Sequence, residues 1–159
     1  MKLQDKLSQY FETLCGQLNG FESHDLLDLR ARSFDYFESQ GFPTKKDEEW
    51  KYTSLNRIIK RDFDFDYKES SALLPQDIAP FLCADIDAYK LVFVNGVFNA
   101  PLSKTVVQEN FFVGSLSQGR KELPEVFAAH YAKIADQKQS LVALNTALAK
   151  DGAFIFVKK

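Results

Sequence analysis

Two cysteines and two histidines are all that the 159 residues contain, beside one tryptophan and one methionine. Cys15 and Cys83 stand far apart, which makes neither a disulfide framework nor a C-x-x-C metal knuckle, so both are expected to be reduced thiols. An excess of one charge is lacking too: 20 basic against 22 acidic residues leave a formal charge of −2. With no block of like charges, nucleic acid and membrane surfaces are disfavoured as partners. No apolar run approaches the ~20 residues of a membrane-spanning helix, and the N-terminal MKLQDKLSQYF carries charges where a signal peptide needs an apolar core. The expected location is cytoplasmic. There is no P-loop, no G-x-G-x-x-G and no H-E-x-x-H, and GSLSQG at 114–119 lacks the spacing of a nucleophile elbow. Repeats and low-complexity linkers are absent as well.

What is present is helical first. Leu3, Leu7, Tyr10/Phe11, Leu14 and Leu18 recur at helical spacing, and Gly20 follows as a C-terminal stop. Ser23 is placed to cap a second helix with the stripe Leu27, Ala31, Phe34 and Phe37, ending near Gly41 and Pro43. The two predict a helical hairpin. SSALLPQDIAPF at 70–81 reads as a loop, and YKLVFVNGVFNAPLS from Tyr89 reads as two short strands joined by Asn95-Gly96, the preferred pair of a type I′ turn. A single further strand is expected in VVQENFFVGSL, then a helix from Pro124 through Phe127, Tyr131 and Ile134. Another follows from Ser140 with Leu141, Leu144 and Leu148 on one face, ended by Asp151-Gly152. The closing FIFVKK is apolar on both faces, which predicts a strand with neighbours and a tendency to self-associate where it has none.

Chemistry must come from few groups. His24 and His130 belong to no recognisable motif, and Cys15, four residues after Phe11, lies near the buried stripe of the first helix, where a thiol acts as a small hydrophobe. In RDFDFDYK the carboxylates Asp62, Asp64 and Asp66 alternate with aromatics. A calcium loop would need Gly and Glu where Tyr67 and Leu73 stand, so the segment is expected to be extended, with aromatics inward. Asp47, Glu48 and Glu49 precede Trp50 in GFPTKKDEEWKYTSL at 41–55. Consecutive carboxylates cannot all face one pocket. The structural expectation is a turn capped by Thr44 with Asp47 at its third position, a following turn started by Thr53 with Leu55, Ile58 and Ile59 inward, and Trp50 packed on the helical hairpin. The alternative is a small acid/base hydrolase centred on Asp47, Glu48 and His130; a free-standing protein-interaction adaptor is a third.

The stretch at 41–55 resembles the signature of the SufD family of iron–sulfur cluster assembly proteins, G-[LF]-P-T-[RK]-K-[DH]-E-x-W-[KR]-Y-T-x-L. LVFVNGVFNAPLS at 91–103 is similar to that family's F-V-N-G-x-[FY]…L-S segment, and FAAHYAKIADQKQSLVALNTALAKDGAFIFV resembles its F-x-A-L-N-T-A…D-G-x-x-[IL] run, with Val142 where the family often has Phe. The likeness spans about 41–157. It implies an N-terminal region that precedes a right-handed parallel β-helix absent from this chain. It also implies partnership with SufB and SufC mostly through parts outside the chain, and an iron–sulfur cluster only in the full-length complex. No catalytic, cofactor-binding or metal residue carries over. The expected fold is α+β: an N-terminal helical hairpin, a small antiparallel sheet built on the Asn95-Gly96 hairpin and two further helices. The expected division is 1–152 as one domain, helical over 1–60 and α+β over 61–152, with 153–159 a terminal strand. The expected role is non-catalytic.

Overall fold

Leu3, Leu7 and Leu14 fall on one side of a 3.6-residue helix, and in the computed structural model that side is buried. The structure describes residues 2–65, 73–82 and 86–158; Cys83, Asp66, Tyr67 and the start of the expected loop at 70–81 lie outside them. In chain order the elements are α1 (Leu3–Leu18), α2 (His24–Gln40), a 3₁₀ turn (Glu48–Trp50), α3 (Asn56–Ile59) and α4 (Pro75–Ile78) with a 3₁₀ turn (Ala79–Phe81). Strands β1 (Phe93–Val94), β2 (Val97–Phe98), β3 (Val106–Gln108) and β4 (Phe111–Ser115) follow. Then come α5 (Leu116–Glu122), α6 (Pro124–His130), α7 (Ser140–Leu148) and β5 (Ala153–Val157). The chain is an α+β protein in two packed units, 1–65 with 132–149 and 66–131 with 150–159. That grouping departs from a linear split at 60, because α7 packs on the N-terminal helices.

In the first unit α7 lies along α2, and α1 packs against both. The expected two-helix hairpin is thus a three-helix layer. Ala143 and Ala147 are fully buried, and their small side chains let the α2 and α7 backbones come close. The core joins Leu3, Leu7, Phe34, Phe37 and Ala147. Phe11 stacks on Phe34 with ring centroids 4.1 Å apart, and Phe42 meets Phe37 edge-on at 5.1 Å, a geometry that aromatic quadrupoles favour. The buried face of α2 is Leu26, Arg30, Ser33, Phe34 and Phe37, so the expected Leu27 and Ala31 stand beside the stripe. Phe63 and Phe65 pack on the core while Asp62 and Asp64 stay exposed. α3 has Leu55 at its N-cap position, and the Ser54 hydroxyl before it accepts the Asn56 amide at 3.4 Å. Thr53 is therefore not its cap, and Ile58, expected inward, is exposed.

In the second unit β1 and β2 pair antiparallel with Val94 opposite Val97, leaving Asn95 and Gly96 to turn the chain at φ 50° and 83°. Positive φ at both central residues suits Asn and Gly. The three-stranded sheet is a separate one, ordered β3-β4-β5 and antiparallel throughout. It is not built on the Asn95-Gly96 hairpin, because VVQENFFVGSL is two strands turning at Glu109-Asn110. β5 supplies the third, with Val113 between Val106 and Ile155. Ser115 ends β4 and caps α5, its hydroxyl accepting the Gln118 amide at 3.1 Å. α5 was unmarked in the sequence because Leu116 is its only apolar residue. Gly119 lets α5 approach β5 so closely that a Cβ there would stand 2.4 Å from the Phe154 ring. α6 stops at His130, short of Ile134, which is exposed. The expected loop at 70–81 contains α4, whose N-terminal Leu74 amide donates to Asp77 at 2.7 Å.

Candidate functional site

Thr44 and Asp47 show what the acidic stretch does. The Asp47 carboxylate accepts the Thr44 amide at 2.7 Å and the Thr44 hydroxyl at 3.1 Å. The Asp47 amide returns a bond to the Thr44 carbonyl at 3.0 Å, and the Thr44 hydroxyl accepts the Lys46 amide at 3.2 Å. The Asp47 carboxylate closes on the Thr44 amide as the third residue of a capping box does, while the Thr44 hydroxyl takes the Lys46 amide and not the Asp47 amide. The Thr44 amide and then its hydroxyl hold the Asp47 carboxyl below its ordinary value, because both bonds favour the charged form. A carboxylate so held is a turn anchor and a poor proton donor at neutral pH. Asp47 then begins the 3₁₀ turn that carries Glu48, Glu49 and Trp50.

Glu48 and Glu49 diverge from it. Glu48 is exposed with Lys51 Nζ 3.8 Å away, and Glu49 accepts the Gln139 side-chain amide at 3.3 Å, which ties the turn to the segment before α7. Trp50 is half-buried and is not among the described side chains packed on the core. The contacts of that core do not include the expected docking of its ring; from outside the hairpin Phe42 packs there, edge-on to Phe37. His24 opens α2 and is exposed. His130 closes α6 in the second unit, at the rim of an open cleft of about 480 Å³ floored by Phe127, Phe154 and Phe156. Among the described residues Tyr131 is the only other titratable group lining that cleft, so a His130-centred acid/base pair finds no described carboxylate there.

Cys15 is free and half-buried. Burial pushes its thiol up, an effect that Arg30 partly offsets, and a thiol held protonated is a weak metal ligand. Among the described residues no three His, Cys, Asp or Glu side chains gather as a metal site would require, and no helix there is long and apolar enough to cross a membrane.

A buried ion pair was not foreseen. Arg30, in the apolar stripe of α2, donates to both Glu22 carboxylate oxygens at 2.7 and 2.9 Å and to the Ala147 carbonyl at 2.9 Å. It thereby satisfies the end of α7, whose last carbonyls have no helical partner. The one available signal was a cation at the i+4 position after Leu26, where the stripe calls for an apolar residue.

Comparison with known proteins places these features. A family model described as the SufBD protein N-terminal region matches residues 1–159. An iron–sulfur cluster assembly SufBD family protein of Synechocystis sp. is 26% identical over 148 residues, covering 88% of this chain and 31% of that protein. The iron–sulfur cluster assembly protein SufD of Escherichia coli is 30% identical over 119 residues, covering 75% of this chain and 25% of that protein. The chain therefore spans about a third or less of the length of these relatives. With the match running over every residue, from the first helix to the closing strand, the chain belongs to the SufBD N-terminal region family.

Proposed function

We propose that this chain is a non-catalytic N-terminal domain of a SufD-like subunit, acting in iron–sulfur cluster assembly within a cytosolic SufB–SufC–SufD scaffold. The observation that carries the reading is the whole-length family match together with the SufD relative at 30% identity. The geometry supports it. The acidic stretch that could have formed a catalytic centre holds its own turn, through the Asp47 bonds to Thr44 and the Glu49 bond to Gln139. The cluster is cargo of the assembly, and Cys15, with its thiol pushed up by burial, is not one of its ligands in this reading. Contacts with SufB and SufC fall mainly to the parts of the subunit beyond this domain.

A chimera tests the proposal. The matching segment of Escherichia coli SufD is replaced by this chain, and the purified chimera is mixed with SufB and SufC. The expected result is a stable three-component assembly that supports cluster formation, whereas SufD with that segment deleted does so less well. A folded chimera that fails to join SufB and SufC would overturn the reading. Hydrolysis of a model ester by the isolated chain, abolished by Asp47→Asn or His130→Ala, would instead revive an acid/base enzyme.

A further inference from the structure

The start of α1 and the end of α3 enclose an open cleft of about 680 Å³ in the first unit. Leu3, Phe42 and Ile59 provide its apolar floor, and Lys2, Lys6, Lys60 and Arg61 stand around it. Among the described residues Asp62 is the only carboxylate in the lining, and Lys6 already engages it along with the Phe63 carbonyl. The nearby Asp5 carboxylate accepts the Lys2 backbone amide. Among the described residues, Lys2, Lys60 and Arg61 have no carboxylate within ion-pair distance.

We propose that this cleft is a binding site for a small organic anion that carries a phosphate group on an apolar body. Three uncompensated cations in one concavity run against the net charge of −2 of the chain. Concave apolar walls concentrate the field of such charges, whereas scattered surface lysines are screened. A monocarboxylate would be balanced by one cation; a phosphate ester brings about two negative charges and three oxygens, which suits one guanidinium fork and two ammonium groups. The cleft volume falls in the range of small-molecule sites. Its floor explains why the ligand has an apolar part: Phe42 and Ile59 are only half-buried and line the space under the cations.

Calorimetric titration of the chain with phenyl phosphate, inorganic phosphate and benzyl alcohol tests the charge and the apolar body separately. Phenyl phosphate should saturate one site and bind at least about tenfold more tightly than inorganic phosphate, with benzyl alcohol silent. The double substitution Lys60→Gln with Arg61→Gln should weaken phenyl phosphate about tenfold or more at unchanged Tm. Lys45→Gln with Lys46→Gln removes the same charge from the exposed turn at 44–47 and should leave binding within about twofold. Equal weakening by both pairs would show a mere net-charge effect and overturn the proposal, as would no saturable heat up to about 10 mM. Sedimentation with phosphatidic acid vesicles, competed by phenyl phosphate, would identify a lipid headgroup as the source of the phosphate; failure to sediment alongside saturable phenyl phosphate binding identifies a soluble ester.

Discussion

Arg30→Met removes the donor at the centre of the first unit, and its cost follows from the geometry. The Arg30 and Glu22 side chains are 3% and 2% exposed, so the substitution strands a carboxylate away from water. Breaking a buried pair from one side costs about 3–5 kcal/mol, most of it the unpaired charge. The Ala147 and Thr146 carbonyls, 2.9 and 3.4 Å from the guanidinium, lose their donor as well. Glu22→Leu added to Arg30→Met removes the stranded charge and leaves mainly those carbonyls unsatisfied, about 1–3 kcal/mol. The pair is therefore strongly non-additive, with an expected coupling of at least about 2 kcal/mol. Urea unfolding followed through Trp50, the only tryptophan, reports on this unit. Phe37→Ala, which truncates a fully buried ring, provides a yardstick of about 3–5 kcal/mol. The reasoning fails if Arg30→Met lies within about 0.5 kcal/mol of the parent, as at an ordinary surface site, or if the two substitutions simply add.

Gly119→Ala should lower stability by about 1–3 kcal/mol, because its Cβ would meet the Phe154 ring at 2.4 Å. Gly16→Ala, exposed within α1 with nothing within 4 Å, should raise stability by about 0.5–1 kcal/mol; thermal melts of both check the contrast. For Asp47 the folded value lies below the ordinary one, so its contribution to the turn is present above the unfolded pKa and disappears as pH falls through the folded one. Carboxyl NMR should therefore give a midpoint under the about 3.9 of a free aspartate, with protection of the Thr44 amide lost at lower pH; a midpoint at or above 3.9 refutes the anchor. β5 is an edge strand whose Ile155 and Val157 are 66% and 65% exposed, and light scattering at micromolar concentration should detect self-association that Ile155→Lys suppresses. A parent chain that stays monomeric would refute it.

The first helix was readable because its leucines and its burial follow one period. The second was misphased by one residue for a reason outside its own sequence: the partners that make Arg30 tolerable inside are Glu22, ahead of the helix, and the Ala147 carbonyl, 117 residues away. A pattern reader assigns a cation to water and shifts the stripe toward Leu27. The same limit explains the sheet. Residues 106–116 are apolar enough for one long strand, but Glu109-Asn110 turns the chain, and β5 arrives from the other end to pair with β4. α5 left no hydrophobic period at all, since a close approach of Gly119 to Phe154 holds it to the sheet.

The candidate site divides along the same line. GFPTKKDEEWKYTSL was conspicuous because its residues are local, and the structure explains their spacing as local: Thr44 and Asp47, three apart, close a turn on each other. A family signature of this kind records a folding requirement as readily as a chemical one. The cationic cleft has the opposite character. Lys2, Lys6, Lys60 and Arg61 each read singly as solvated charges, and 56 residues separate the Lys6–Asp62 pair at its rim. Only the packing of Leu3, Phe42 and Ile59 brings them around one space. Charge that is dispersed in sequence and gathered by an apolar floor is invisible to any window along the chain, so an anion site of this type is found in the fold or not at all.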